Sequence, residues 1–159
     1  MNNYSYQLEH IFSFGATLEA PEVIGPVAEG VRANFYCKGG EATGPKLQGK
    51  TRAVGGDWLT VRTDGMLILD VRITLESNDG ALIAISYSGV SDLGADGHQN
   101  FLEGKLPTVL KLHIVPRCQT AHPDYLWLNR IQCVGIGEVN LATSYVSYDV
   151  YAIRQDLPG

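Results

Sequence analysis

DWLTVRTDGMLILDVRITLESNDGALIAISYSGV, residues Asp57–Val90, is the stretch whose reading decides the fold. Three apolar, β-branched runs are separated by two Asp-Gly pairs. Asp64-Gly65 and Asp79-Gly80 each supply the φ > 0 residues that tight primed hairpin turns demand. A three-strand antiparallel meander follows, over roughly Asp57–Thr63, Met66–Ser77 and Ala81–Val90. Side chains alternate across a strand, so Leu67, Leu69, Val71, Ile73 and Leu75 share one face of the central run. Ile68, Asp70, Arg72, Thr74 and Glu76 share the other.

The same punctuation continues outward along the chain. Tyr4–Leu18 alternates loosely, with an irregularity expected near Gly15. Pro21 and Pro26 exclude a helix or central strand from the connection that follows. Val31–Cys37 and the polar Leu47–Val54 read as strands, with GGEATGP at 39–45 as a loop. After Val90 the segment 91–106 is rich in Gly, Asp and Ser, which marks a rim loop or lid. Thr108–Gln119, bent at Pro116, Tyr125–Val134 and Tyr145–Arg154 complete the set, and Gly135–Gly137 reads as a kink or turn.

No long 3.6-period segment exists. Nine or ten short strands with regular turns predict an all-β chain, and a single antiparallel β-barrel leaves no edges to protect. At 159 residues one domain, 1–159, is expected. The formal net charge of −5, with no Lys/Arg stripe, argues against a nucleic-acid partner. The first residues lack a basic, then apolar, secretory leader, and no run has the ~18 apolar residues of a membrane helix. Cys37, Cys118 and Cys133 are odd in number and lack CxxC spacing, which predicts reduced, buried thiols and a cytoplasmic location.

Four islands stand in fixed order: GGDW at 55–58, RTDGMLILDVR at 62–72, YLWLN at 125–129 and YDVY at 148–151. Together with the Gly135-Ile136-Gly137 step they resemble the bacterial and fungal domain-of-unknown-function family three thousand two hundred and thirty-seven. The resemblance spans nearly the whole chain. It implies a barrel of calycin or allene-oxide-cyclase-like architecture that self-associates, a dimer being the expected homo-oligomer. It implies little chemistry, and the polar 91–106 segment departs from the family pattern.

Candidate chemistry rests on pockets. If the charged face of 66–77 turns inward, Asp70 and Arg72 line a cavity; if the aliphatic face does, they are surface charges. A buried charge without a partner costs several kcal/mol, so the first reading requires pairing; the resemblance, by fixing LDVR, tips the choice to the pocket. Asp57 beside Trp58 is either a turn residue or a carboxylate whose pKa desolvation raises. Tyr125, Trp127 and Asn129, on one face of a strand, have the make-up of an apolar pocket with a polar anchor, or of an ordinary core. Tyr87 and Tyr148 are candidate phenolic donors, although buried tyrosines are usually structural.

His10, His98, His113 and His122 have no HxH or HExxH spacing, so no metal is expected. GxSxG and P-loop motifs are absent, and Gly135-x-Gly137 lacks a dinucleotide fingerprint, so no cofactor is expected. The leading reading is a cofactor-independent lyase, hydratase, isomerase or cyclase acting on a small, largely apolar carbonyl compound. Asp57 or Asp70 would be the base and Arg72 would steady enolate charge. Tyr87 or Asn129 would bind the carbonyl, and Trp58, Tyr125 and Trp127 would shape the cavity. A non-catalytic carrier of a small hydrophobic ligand is the rival, and a self-assembly module the third possibility.

Overall fold

The computed structural model describes Met1 and residues 3–155. Eleven strands form one antiparallel sheet: β1 (Tyr6–Leu18), β2 (Glu22–Val27), β3 (Gly30–Thr43), β4 (Gly49–Thr51), β5 (Gly56–Val61), β6 (Met66–Ser77), β7 (Leu82–Asp92), β8 (Val109–Ile114), β9 (Arg117–Gln119), β10 (Cys133–Asn140) and β11 (Tyr145–Gln155). Pairing runs β1–β3–β5–β6–β7–β8–β10–β11 and returns from β11 to β1, so these eight close into a ring. The remaining three lie against it. β2 pairs with β3, β4 bridges β3 and β6, and β9 pairs with the first half of β7.

The meander forms with full pairing of β6 and β7 from Met66↔Asp92 to Glu76↔Leu82. Its turns differ from the expected two-residue type. Arg62 N–H bonds to Met66 and Ser77 N–H to Ala81, leaving three-residue loops. In each loop only the glycine has positive φ, +90° at Gly65 and +88° at Gly80. This is a type I turn closed by a left-handed residue, which needs one glycine rather than two permissive positions.

The aliphatic face of β6 turns inward. Leu67, Leu69, Val71, Ile73 and Leu75 are buried, and they join Ile83, Ile85, Val61, Val150 and Phe12 in the interior cluster. Asp70 and Arg72 are exposed on the outside, which corrects the expectation that the charged face lines a cavity. The physical reason is the desolvation penalty: outside, neither charge needs a partner. Glu76, on the same face, bonds Lys50 at 2.8 Å and Arg52 at 3.3 Å.

Three further expectations are corrected. The run 39–45 is not a loop up to Thr43, because β3 continues through it, turning from β5 to pair with β4 and β1. Gly135 and Gly137 lie within β10, not at a kink. A side chain at Gly137 would strike the Ser147 carbonyl and the Tyr148 ring, so these glycines permit close packing rather than a turn.

Tyr125, Trp127 and Asn129 are not on a strand. Pro123–Arg130 is a 3-10 helix, η1, begun by a proline in its first turn and capped by His122 Nδ1, which accepts the Asp124 N–H. It sits beside the β6–β7 turn, where the Tyr125 hydroxyl donates to Asp79 at 2.9 Å. A one-and-a-half-turn helix, α1 (Gly97–Leu102), lies at the opposite end of β6, beside the β5–β6 turn, where Leu93 N–H bonds the Gly65 carbonyl. No helix among the described residues is long and apolar enough to cross a membrane.

The inward assignment of β6 makes a paired prediction. Leu75→Ala, at a fully buried position, is expected to lose about 2–5 kcal/mol of stability. Arg72→Ala is expected to change it by less than about 0.5 kcal/mol. Urea unfolding of both variants measures this, and a larger loss at Arg72 than at Leu75 would reverse the assignment of faces.

Candidate functional site

The ring does not fill completely. A cavity of about 290 Å³ lies inside it. It is lined along β6 from Leu67 to Ile73 and does not reach Leu75, so it occupies the half of the ring nearer α1. Phe101 of α1 and Leu106 close over it from the 91–106 segment. The mouth is completed by Glu19 and Pro21 after β1 and by Leu141 and Ser144 between β10 and β11.

Besides Glu19 and Ser144 at the mouth, four polar side chains stand against this apolar wall: Asp57, Cys37, Tyr87 and Tyr148. Asp57 is positioned by the Gly55-Gly56 step. Gly55 has φ +77° and passes so close to the Arg72 carbonyl that no side chain fits. The chain enters β5 with Asp57, Leu59 and Val61 inward and Trp58 and Thr60 outward. Asp57 Oδ1 then accepts the Asp70 backbone N–H at 2.9 Å. The β5–β6 ladder is interrupted between Asp57↔Val71 and Thr60↔Ile68, and this carboxylate serves a ladder N–H there.

Burial dominates the electrostatics of Asp57. Desolvation pushes its carboxyl up to about 7; the Asp70 N–H works weakly the other way and the nearby Asp70 charge adds to the rise. The group is half-buried at its cavity wall rather than sealed. A carboxylic acid in this state exchanges its proton near neutrality.

Tyr87 on β7 and Tyr148 on β11 face each other, ring centres 5.5 Å apart and nearly perpendicular. Phe14 packs against both, 5.3 Å from Tyr148 and 6.3 Å from Tyr87, so the three rings form a triangle. Burial raises both phenol pKa values, and the Asp57 charge adds to each, so both stay protonated donors. The two hydroxyls act on one another, Tyr148 raising the Tyr87 pKa and Tyr87 lowering that of Tyr148, yet their geometry falls short of a hydrogen bond and Tyr148 Oη has no partner among the described residues. Cys37, by contrast, is satisfied: its Sγ donates to the Arg52 carbonyl at 3.3 Å and accepts the Gly39 N–H at 3.4 Å. Burial pushes its thiol up, away from the reactive thiolate.

The structure thus brings together Asp57, Tyr87 and Tyr148 and separates the other candidates from them. Asp70 touches the site only through its backbone N–H, and Arg72 lies outside. Trp58 is exposed and packs edge-on against Tyr36. Trp127 lies under the Lys46 ammonium, 5.5 Å from the ring centre. Asn129 clamps Thr120, its amide bonding both the N–H and the carbonyl at 2.8 Å. Tyr125, Trp127 and Asn129 therefore fasten η1 to the far end of the ring and line no part of the cavity.

Phe14, Phe35, Phe101 and Leu106 are cavity residues not singled out from the sequence. Phe101 and Leu106 had a readable signal, because 91–106 is otherwise polar and few of its positions carry large apolar groups. Cys37, Cys118 and Cys133 are all free and buried, as expected. Asp79, His122 and Asp124 gather their ligand atoms within 4.8 Å of one another beside η1, but His122 Nδ1 is occupied by the Asp124 N–H and Asp79 by Ser77 and Tyr125.

Comparison with known proteins agrees with this architecture. A UPF0311 protein of Rhodopseudomonas palustris (strain TIE-1) is 26% identical over 149 residues, 92% of this chain and 96% of that protein. The crystal structure of a beta-barrel like protein from Acinetobacter baumannii AYE superposes with a TM-score of 0.80 at 30% identity, covering 96% of this chain and 99% of that one. An enzyme from Penicillium herquei superposes with a TM-score of 0.69 at 21% identity, covering 97% and 98%. The family model described as Protein of unknown function (DUF3237) matches residues 6–153, and the chain belongs to that family.

Proposed function

We propose that this protein is a cofactor-independent enzyme of the lyase, hydratase, isomerase or cyclase kind, moving a proton on a small, largely apolar carbonyl compound held inside the ring. The observation that carries this reading is Asp57: a carboxylate set among apolar side chains inside the cavity, its pKa raised to about 7, with two protonated phenols on the same cavity. A group with pKa near the working pH is both an adequate base and an adequate acid.

In the proposed step the Asp57 carboxylate takes the proton from the carbon next to the carbonyl. The C–H electron pair moves into the carbon–carbon bond, and the carbonyl oxygen gains the negative charge of an enolate. A phenol hydrogen bond to that oxygen stabilises the charge more than it stabilised the neutral carbonyl. The proton then returns from Asp57 to another atom of the same molecule, or a leaving group departs from the neighbouring carbon with its bonding electron pair and takes the proton from Asp57. Arg72, on the outer surface, has no part in this. A neighbour of this fold is described as an enzyme, which supports catalysis on such a ring. The rival reading, a carrier, is favoured by the apolar wall, and it assigns Asp57 no task.

Proton transfer is measured directly by α-deuteration of 2-tetralone in D₂O, followed by NMR. The protein is expected to accelerate exchange, with a rate that rises with pH up to about 7 and is level above, since the base must be ionised. Asp57→Asn is expected to lower the rate at least about 100-fold while leaving ligand affinity within about threefold. Equal rates in the two proteins would remove Asp57 from the mechanism and favour the carrier.

The same shift acts on stability. The folded-state pKa of Asp57 lies above its ordinary value of 3.8, so between about pH 4 and 7 the folded protein holds more protons than the unfolded chain. Stability from this group therefore falls as pH rises through that window. Asp57→Asn, which keeps an acceptor for the Asp70 N–H, is expected to match the wild type near pH 4. At pH 8 it should exceed it by about 2–4 kcal/mol, on the order of 5–10 °C in Tm. Parallel Tm curves across pH 4–8 would show that the carboxyl is not shifted.

A further inference from the structure

We infer that the ligand of this cavity is electrically neutral, about two fused rings in size, and carries one oxygen acceptor that is anchored on Tyr148 Oη. This rests on reading the cavity as the substrate site and specifies what that site takes.

Tyr148 is the first ground. It is 2% exposed, and its hydroxyl is the one buried side-chain polar atom among the described residues without a hydrogen-bond partner. A buried hydroxyl left unpaired costs about 1–3 kcal/mol, which a ligand oxygen would restore once the side chains that cover Tyr148 Oη shift to admit it. Its position is preset: Phe14 and Tyr87 both pack against the ring, and Gly137 gives it room where any side chain would collide. Kept protonated by burial, it offers a fixed donor and no charge.

Charge is the second ground. Among the described residues no Lys, Arg or His lines the cavity, and the acids that do are Asp57 and Glu19. A carboxylate or phosphate ligand would enter without a counter-ion and beside existing negative charge. An ammonium ligand would need several acceptors, where the wall supplies chiefly Asp57, whose carboxylate already accepts the Asp70 N–H, and the rest of the lining is largely hydrocarbon. A neutral oxygen compound meets neither penalty.

Size is the third. An apolar cavity of about 150 Å³ holds benzene. At about 290 Å³ this one has nearly twice that room. Phe101 and Leu106 close it, limiting length at the mouth.

The test uses four probes on related two-ring frames: tetralin, 2-tetralone, 2-naphthoate and 2-aminotetralin, titrated calorimetrically at pH 7.5. We expect 2-tetralone to bind at least fivefold more tightly than tetralin, and at least tenfold more tightly than the naphthoate or the amine. Tyr148→Phe should abolish the ketone's advantage over tetralin and leave tetralin binding intact. In the wild-type protein, ¹³C-labelled tyrosine should show the Tyr148 Cζ resonance moving with 2-tetralone and not with tetralin, which covers the case of a variant that folds poorly. The inference is overturned if Tyr148→Phe keeps the ketone preference, if that resonance responds equally to both probes, if the naphthoate or amine binds as well as the ketone, or if none binds saturably. These are binding measurements and can be repeated in Asp57→Asn. Failure of proton exchange with a retained ketone preference would reject the enzyme reading alone, and the reverse would reject the anchor alone.

Discussion

A carboxylate held against hydrocarbon is the constraint on which the rest of this molecule depends. Eight strands close a ring, and each turns its aliphatic side chains inward, which makes the interior dry enough for one acid to be out of place. Asp57 is kept there by backbone geometry rather than by a charged partner. A glycine step brings the chain in close to β6, and a ladder N–H is given over to its carboxylate. A lysine or arginine in that position would have stabilised the anion and lowered its pKa; a lone N–H leaves desolvation dominant.

The division of labour between the two ends of the ring follows from the same economy of space. At the end bearing η1 the interior is filled, with Leu128 of that helix buried and its polar residues spent on fixing the helix to the β6–β7 turn and to Thr120. At the α1 end the interior is left open, and its cover is a short helix and loop that bring two apolar side chains, Phe101 and Leu106, over the gap. The closed end supplies stability and the open end supplies room. This is why aromatic residues that look alike in the sequence serve different ends: Tyr87 and Tyr148 belong to long strands that cross the open half, whereas Tyr125 and Trp127 belong to the fastening.

The central meander and the antiparallel class were legible because alternation over 66–77 and 81–90 admits little else, and because Gly65 and Gly80 mark the turns. Alternation names two faces of a strand without saying which is inside. Asp70 and Arg72 were drawn inward by a resemblance that fixes their segment, while desolvation, with no partner to offset it, places them outside. YLWLN alternates as a strand would, yet His122-Pro123-Asp124 just before it carries the cap, proline and acid of a helix start. That local signal was readable and outweighs a period of two over so short a run. Gly135 and Gly137 carried no such signal, since a glycine that opens a turn and one that admits a neighbour's ring look the same until the neighbour is known. For Asp57 the sequence offered the right residue beside the wrong wall: its carboxylate faces the apolar cavity that Leu69, Val71 and Tyr87 help to line, whereas adjacent Trp58 points outward and is exposed.

The central claim is that the interior raises the pKa of one acid from its ordinary value to about 7. Carboxyl ¹³C NMR of protein labelled at aspartate side chains, titrated from pH 3 to 9 and assigned through Asp57→Asn, reads this without reference to any ligand. The account predicts that the Asp57 resonance titrates with a midpoint near 7. A midpoint at or below the ordinary 3.8 would contradict it, because the carboxylate would then be as well solvated as one on the surface.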